Sequence, residues 1–524
     1  MDMKKLMSGA LGAALLVTMT GCGLFGGDSS GSRVLRVLAG SELADLKPIL
    51  DQAAKDTGVT VKFDYAGTLD GVQQVVSGTA GRRYDAIWFS SNRYLNLHTG
   101  VKTGTATPIM SSPVVLGVRP SVAARLGWDK TRPTWAQIAA AAEKQDFTYG
   151  MTNPAASNSG FSALVGIATA LNSGTDLDVA GIDRVAPQLK QFFSAQTLTA
   201  GSSGWLSDAF VRQGAEVDGL VNYESVLLSL NASGKLPEPL KLVYPSDGVV
   251  TADYPLTLLG TAPATAQDAY RKLTAHLLKP DVQNKIMTQA HRRPADGSVR
   301  LAAEFTGATG LKELPFPGSL ETVDQLIAAF FDRIRRPAST IYVIDVSGSM
   351  AGQRITDLKS ALVALTGAGD ATSFHNREQV TLIPFSTRTM PAQRFLIPES
   401  TPGPELQKIR TFTEGLKAGG GTAIYASLNT AYAAARTQVA QDHRNRFTSI
   451  VLMTDGENAN GIGFSDFKAS LPQVQVKGVP IFPILFGTAR ENEMNQIAQL
   501  TGGRAFDARA QPLADVFKEI RGYQ

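Results

Sequence analysis

The apolar run Ile341-Tyr342-Val343-Ile344 passes directly into Asp345-Val346-Ser347-Gly348-Ser349, after which Ile355, Leu358, Leu362 and Leu365 repeat at helical spacing. This is a strand, an oxygen-rich loop and a helix. Two further segments repeat the arrangement: the glycines Gly419 to Gly421 precede Thr422 at the start of a predicted helix, and the predicted strand Ile450 to Thr454 delivers Asp455 at its end. All three loops are expected to leave the carboxyl edge of one parallel sheet, the edge where open α/β sheets hold ligands. Asp345, Ser347, Ser349, Thr422 and Asp455 then converge. Such a set of oxygens suits a hard divalent cation, Mg²⁺ foremost, with Mn²⁺ or Ca²⁺ as alternatives. One Asp-x-Ser-x-Ser alone is equally well read as a capped helix; the three loops together favour a metal.

These segments resemble the von Willebrand factor type A domain and its metal-ion-dependent adhesion site. The resemblance covers about residues 338–521 of a domain read as 338–524 and includes VTLIPFST at 380–387, VLMTDGEN at 451–458, VPIFPILFG at 479–487 and IAQLTGGRAFDA at 497–508. It implies a doubly wound, mostly parallel, Rossmann-like sheet. It also implies that Ser347, Ser349 and Thr422 contact the cation directly or through water, while Asp345 and Asp455 hold it largely through bound waters. A cation ligated mostly by neutral hydroxyls keeps much of its charge and an open coordination place, which a carboxylate of a protein partner can fill. Glu457 beside the metal loop is expected to solvate it or to help select partners.

Residues 33–301 alternate in the same way. Val34 to Ala39, Val59 to Tyr65 and Ala86 to Phe89 read as strands, and Leu43 to Lys55 and Asp70 to Ser77 as helices, with Gly58 as a stop. Repeated βαβ predicts a mostly parallel sheet. Ser41, Thr68 and Ser90 stand just past strand ends, Asn158, Ser159 and Gly160 open a helix running to Leu171, and Asn222 and Tyr223 end a short strand. A helix start with free amides is an anion site, yet a hydroxyl there more commonly caps the helix.

The stretches AGSELADL at 39–46, YAGTLDGVQQVVSG at 65–78, YDAIWFSSN at 84–92, PVVLGVRP at 113–120, NPAASNSGFSAL at 153–164 and DGLVNYESV at 218–226 resemble type 2 periplasmic solute-binding proteins, in their molybdate and extracellular branch. The resemblance implies two α/β lobes gripping a small solute or oxyanion, with Ser41, Thr68, Ser90, Ser159 and Tyr223 as candidate ligand contacts. Glu42 would repel an anion if it faced inward.

Residues 302–337 connect the halves. Gly307, Gly310, Pro315, Pro317 and Gly318 break the chain, and Val323, Leu326, Ile327, Phe330, Phe331 and Ile334 then mark one helical face. The helix is expected to pack on the second domain or to wedge between the two.

Residues 1–21 have the order of a secretory signal peptide: Lys4 and Lys5, an apolar stretch from Leu6 to Met19, then Thr20 and Gly21. Cys22, the only cysteine, follows. The arrangement resembles the lipobox of bacterial lipoproteins, which implies a lipidated Cys22, a Gly/Ser tether over 22–32 and anchorage at the outer face of a membrane. Charge excludes one partner: 50 Lys plus Arg against 46 Asp plus Glu, with no basic run, argues against nucleic acid. The histidines at 98, 276, 291, 375 and 443 form no close pair for zinc, and no nucleophile, base and orienter set is visible, so no enzymatic activity is expected. Two functions compete on the sequence. One is a surface lipoprotein that docks a protein through its metal site while the lobes sense or present a ligand. The other is the substrate-capture subunit of an ABC-type transporter.

Overall fold

The computed structural model describes residues 33–213, 216–308, 310–367, 373–442, 445–487, 490–509 and 512–523. The predicted signal peptide, Cys22 and the tether lie outside the described residues.

Residues 33–301 fold as two lobes. In the first, Val59–Tyr65, Arg33–Ala39 and Ala86–Trp88 pair in parallel as the βαβ pattern requires. Pro255–Leu259 then adds antiparallel and Thr103–Pro108 pairs antiparallel to it, so the sheet is mixed. The second lobe orders Thr251–Ala252, Met110–Val118, Gly219–Tyr223, Tyr149–Thr152 and Gln196–Ala200. The chain crosses between the lobes at Ile109 and Tyr254, whose backbones share a 3.4 Å hydrogen bond. The predicted first helix begins instead as a 3₁₀ turn, Ser41–Leu46, and becomes α-helical at Lys47–Thr57, with Pro48 in its first turn. Proline has no N–H to lose there and its φ is already helical, so it sets the α-helical start. Gly58, at φ 71°, ends the helix as expected.

The last domain is one six-stranded sheet in the order Gln393–Leu396, Gln379–Phe385, Ala338–Asp345, Phe447–Thr454, Ile481–Leu485 and Phe506–Asp507. Only Gln393–Leu396 runs antiparallel. Numbered along the chain this is 3-2-1-4-5-6, the doubly wound order. Tyr342 and Ile344 enter the core on one face of the sheet and Ile341 and Val343 the core on the other. Burial on both faces is why this strand reads as an unbroken apolar run.

The connecting helix wedges between the domains. Leu320–Ala329 continues into a π-turn, Phe330–Ile334, and Ser319 caps its start by accepting the Thr322 N–H at 3.1 Å. Phe330 meets Phe193 of the second lobe edge to face at 5.0 Å, while Phe331 stacks on His375 of the last domain at 4.4 Å. Earlier residues of the connector belong to the second lobe, because Lys312 and Leu314 exchange backbone hydrogen bonds with Val249. Among the described residues no helix is long and apolar enough to cross a membrane.

Candidate metal centre and solute cleft

Asp345 ends the central strand and Asp455 follows its neighbour Phe447–Thr454, so both stand where the strand order reverses. That switch point is where a doubly wound sheet opens a ligand crevice. Both carboxylates are fully buried. Asp345 accepts the Ser347 N–H at 2.8 Å and the Thr454 hydroxyl at 2.7 Å. Ser347 Oγ lies 3.0 Å from Ser349 Oγ, which donates to Asp455 Oδ1 at 2.8 Å. Thus hydrogen bonds join four of the five predicted residues, with the oxygens of Ser347, Ser349 and Asp455 in one string, and Ser349 opens it to solvent.

Thr422 is placed by its backbone. Its N–H donates to Asn460 Oδ1 at 3.0 Å, and its carbonyl accepts the N–H groups of Ala459 and Asn460. The preceding loop is tied to the first by Gly348 N–H to Gly420 O, 2.9 Å, and by Gly419 N–H to Val346 O, 2.8 Å. Gly420 has φ 86°, and a Cβ on Gly421 would lie 1.9 Å from Asn460 Oδ1. Only glycine lets the loop close in this way. Asn458 serves the neighbouring helix, accepting the Ile424 N–H at 2.8 Å. Sequence reading missed both asparagines, although their place just past Asp455 was a visible sign.

Does this set fit a cation? Among the described residues no three His, Cys, Asp or Glu side chains group as a metal cluster; here the set is two carboxylates and hydroxyls, all hard oxygens. Burial, with the nearby Asp455 charge, pushes the Asp345 carboxyl above its ordinary range, against the hydrogen bonds it accepts. Two buried carboxylates so close call for positive charge, and the residues fit a divalent ion.

One cation already serves them in part. Arg354, whose side chain is 42% exposed, pairs with Asp455 Oδ2 and donates to the Ser349 carbonyl at 3.3 Å. Nothing in the sequence pattern singled it out. Because the guanidinium draws on the same carboxylate, Arg354→Ala should tighten Mn²⁺ binding a few-fold, the scale of a half-exposed ion pair worth about 0.5–1 kcal/mol. Calorimetric titration of the purified chain measures this; weaker binding in the variant would show that Arg354 supports the site. Glu457 forms an exposed ion pair with Arg490 at 2.6 Å, and that hydrogen bond holds its carboxyl below the ordinary value.

The candidate solute contacts are distributed differently. Ser90 and Tyr223 meet across the lobes: the buried Tyr223 hydroxyl reaches Ser90 and, at 3.5 Å, Ser162, and its ring lies 5.9 Å from that of Tyr254. Burial, helped by the Glu42 charge, raises the Tyr223 phenol well above its ordinary value. Ser159 instead binds within its own lobe, 2.8 Å from Thr152 Oγ1 and 2.8 Å from Ser203 Oγ. Ser41 opens its turn half-buried, and the Thr68 side chain lies outside the described residues. Glu42 does face inward, accepting Asn158 Nδ2 at 3.4 Å, so a carboxylate stands at the helix start read as an anion site. That weighs against an oxyanion. Buried Arg292 pairs with Asp45 at 2.7 Å and donates to the Glu42 carbonyl at 2.9 Å; a separation of 247 residues left that pair without a local signal. A groove of about 520 Å³, lined by Lys190, Gln325, Asp332, Arg333, Arg377 and Glu399, touches neither site.

Residues 35–290 match the family described as Bacterial extracellular solute-binding protein, and residues 341–519 match the von Willebrand factor type A domain. The inter-alpha-trypsin inhibitor heavy chain H4 of Homo sapiens is 30% identical over 127 residues, 24% of this chain and 13% of that protein; the Bos taurus form is 31% identical over the same extent. This chain thus spans only about an eighth of those relatives' length. Among solved structures, the periplasmic binding protein AfuA from Actinobacillus pleuropneumoniae aligns at TM-score 0.45 and 13% identity, over 58% of this chain and 99% of that one. A ferric binding protein from Campylobacter jejuni aligns at TM-score 0.41 and 14% identity, over 56% and 96%.

Proposed function

We propose that this chain, a bacterial extracellular solute-binding domain followed by a von Willebrand factor type A domain, is an exported, lipid-anchored protein that docks a protein partner through a divalent cation, while its lobes sense or present a small solute. The observation that supports the reading is the string of Ser347, Ser349 and Asp455 oxygens at the sheet's switch point, with buried Asp345 behind it and Ser349 exposed in front. A bound cation would supply an open coordination place there for a partner carboxylate. This chain's residues do the rest. Asp345 orients the first loop through the Ser347 N–H, the glycine loop brings Thr422 alongside, and Arg354 balances Asp455 at the rim.

The second reading, a transporter's capture subunit, draws support from the solute-binding fold. It leaves the metal loops without a task, which is why docking is preferred. Photocrosslinking on intact cells separates the two. A partner captured by the wild type but lost with chelator and in Asp455→Ala supports docking, and its release from the membrane fraction in Cys22→Ala supports the anchor. Capture of a permease alone, indifferent to chelator, would overturn the docking reading.

A further inference from the structure

The last helix of the type A domain, Leu513–Arg521, and the two residues after it lie against both lobes of the solute-binding domain. On the first lobe, Lys518 pairs with Asp70. On the second, Asn153 Nδ2 donates to the Arg521 carbonyl at 3.3 Å. Gly522 fits so closely that a Cβ there would stand 2.9 Å from Ala156 Cβ and 3.2 Å from Gly201 Cα. Tyr523 is 1% exposed and lies between the two domains: its ring meets Trp205 of the second lobe at 4.7 Å, and Phe482 and Phe506 of the type A core at 5.8 and 5.5 Å.

The loop this segment touches is also the loop that closes the cleft. Residues 153–157 connect the strand Tyr149–Thr152 to the helix Asn158–Leu171. Ala156 presents its side chain to Gly522, while its carbonyl oxygen would lie 2.2 Å from a Cβ on Gly67 of the first lobe. Two residues further on, Asn158 reaches Glu42, and a Cβ on Gly40 would stand 2.4 Å from Asn158 Nδ2. Glycine at 40 and at 67 is what allows the lobes to come this close.

We infer that the C-terminal segment is a latch: bound to both lobes at once, it holds the solute cleft shut, and the lobes part only when the segment lets go of loop 153–157 or of Asp70. A strap fixed to both sides of a hinge opposes opening by the strength of its weaker attachment, because the lobes cannot part until one of the two breaks. The latch also gives the type A domain a hold on solute access. Leu358 and Leu362, on the helix after the metal loop, share a hydrophobic core with Val516, Phe517 and Ile520 of the latch helix. The latch itself requires neither a metal nor a protein partner, so it stands or falls separately from the docking proposal.

The test uses the full chain with Cys22→Ser and spin labels at the exposed Lys55 and Lys144, one on each lobe. The wild-type pair should give a single short interlobe distance. Gly522→Val, which cannot seat against Ala156, should add a longer component and speed amide exchange at residues 155–157 about tenfold. Lys518→Asp should shift the distribution the same way but less, and Asp70→Lys combined with it should restore the wild-type distance. Should Gly522→Val also lose protection in Ala338–Asp345, and so disturb the domain itself, Lys518→Asp and its charge-swap rescue decide. Unchanged distances and exchange in both single variants would overturn the latch.

Discussion

Glu378→Ala should destabilise the type A domain by about 3–5 kcal/mol and lower its melting midpoint by roughly 6–20 °C. Glu378 is 1% exposed and pairs with Arg335, which follows the connecting helix, and with Arg521 of the last helix, whose Nη2 lies 2.9 Å from each carboxylate oxygen. Arg521 also donates to the Ser373 carbonyl at 2.8 Å. Both guanidinium groups are buried, at 5% and 4% exposure, so removing the carboxylate takes from two enclosed positive charges the negative group they share. Breaking a buried pair from one side costs far more than the intact pair contributes. Scanning calorimetry on the full chain checks this, and a loss below about 1 kcal/mol would show that solvent reaches the cluster.

The same residue predicts a pH dependence. Burial alone would raise the Glu378 carboxyl, but the Arg521 and Arg335 charges outweigh it and hold the carboxyl below its ordinary value. A carboxyl depressed in the folded state stabilises the fold above its unfolded pKa, and that contribution is lost as pH falls through the folded value. Acid should therefore weaken the wild type more steeply than Glu378→Ala.

Asp345→Asn and Asp455→Asn should each weaken Mn²⁺ binding at least about 100-fold, the upper range for losing a residue that orients metal ligands. Neither should unfold the domain. In Asp345→Asn the amide oxygen still accepts the Ser347 N–H and the amide nitrogen can donate to the Thr454 hydroxyl oxygen, and either substitution relieves the repulsion between two buried carboxylates. Electron paramagnetic resonance of Mn²⁺ titrated into the full chain reads the affinity, with a melting curve alongside. Wild-type affinity in both variants would sink the assignment of these loops as a metal centre.

How legible the two sites were follows from the reach of their contacts. The strand, loop and helix around Asp345 lie within about one turn of each other along the chain, so hydrophobic period and residue type were enough to place them. Asp455 could be added because parallel strands present their carboxyl ends together. Ser159 marks the limit of that reach. A hydroxyl at a helix start looks the same in sequence whether it meets solute or, as here, Thr152 and Ser203. The antiparallel strands Thr103–Pro108 and Pro255–Leu259 pair across about 150 residues, beyond any local signal, so a sheet expected to be mostly parallel is mixed.

The amino-acid sequence by itself determined the alternation of strands and helices and the oxygen-bearing loops at strand ends, because both are written in short-range periodicity and spacing. The two-domain order and the doubly wound sheet followed from its resemblance to two known families. Tertiary structure alone decided that Glu42 faces the cleft, that Arg354 shares Asp455, that Arg292 finds Asp45 and that Tyr523 enters the gap beside Trp205. Those contacts join residues roughly 100 to 320 positions apart, and packing of finished surfaces, which leaves no periodic mark on the chain, brings them together.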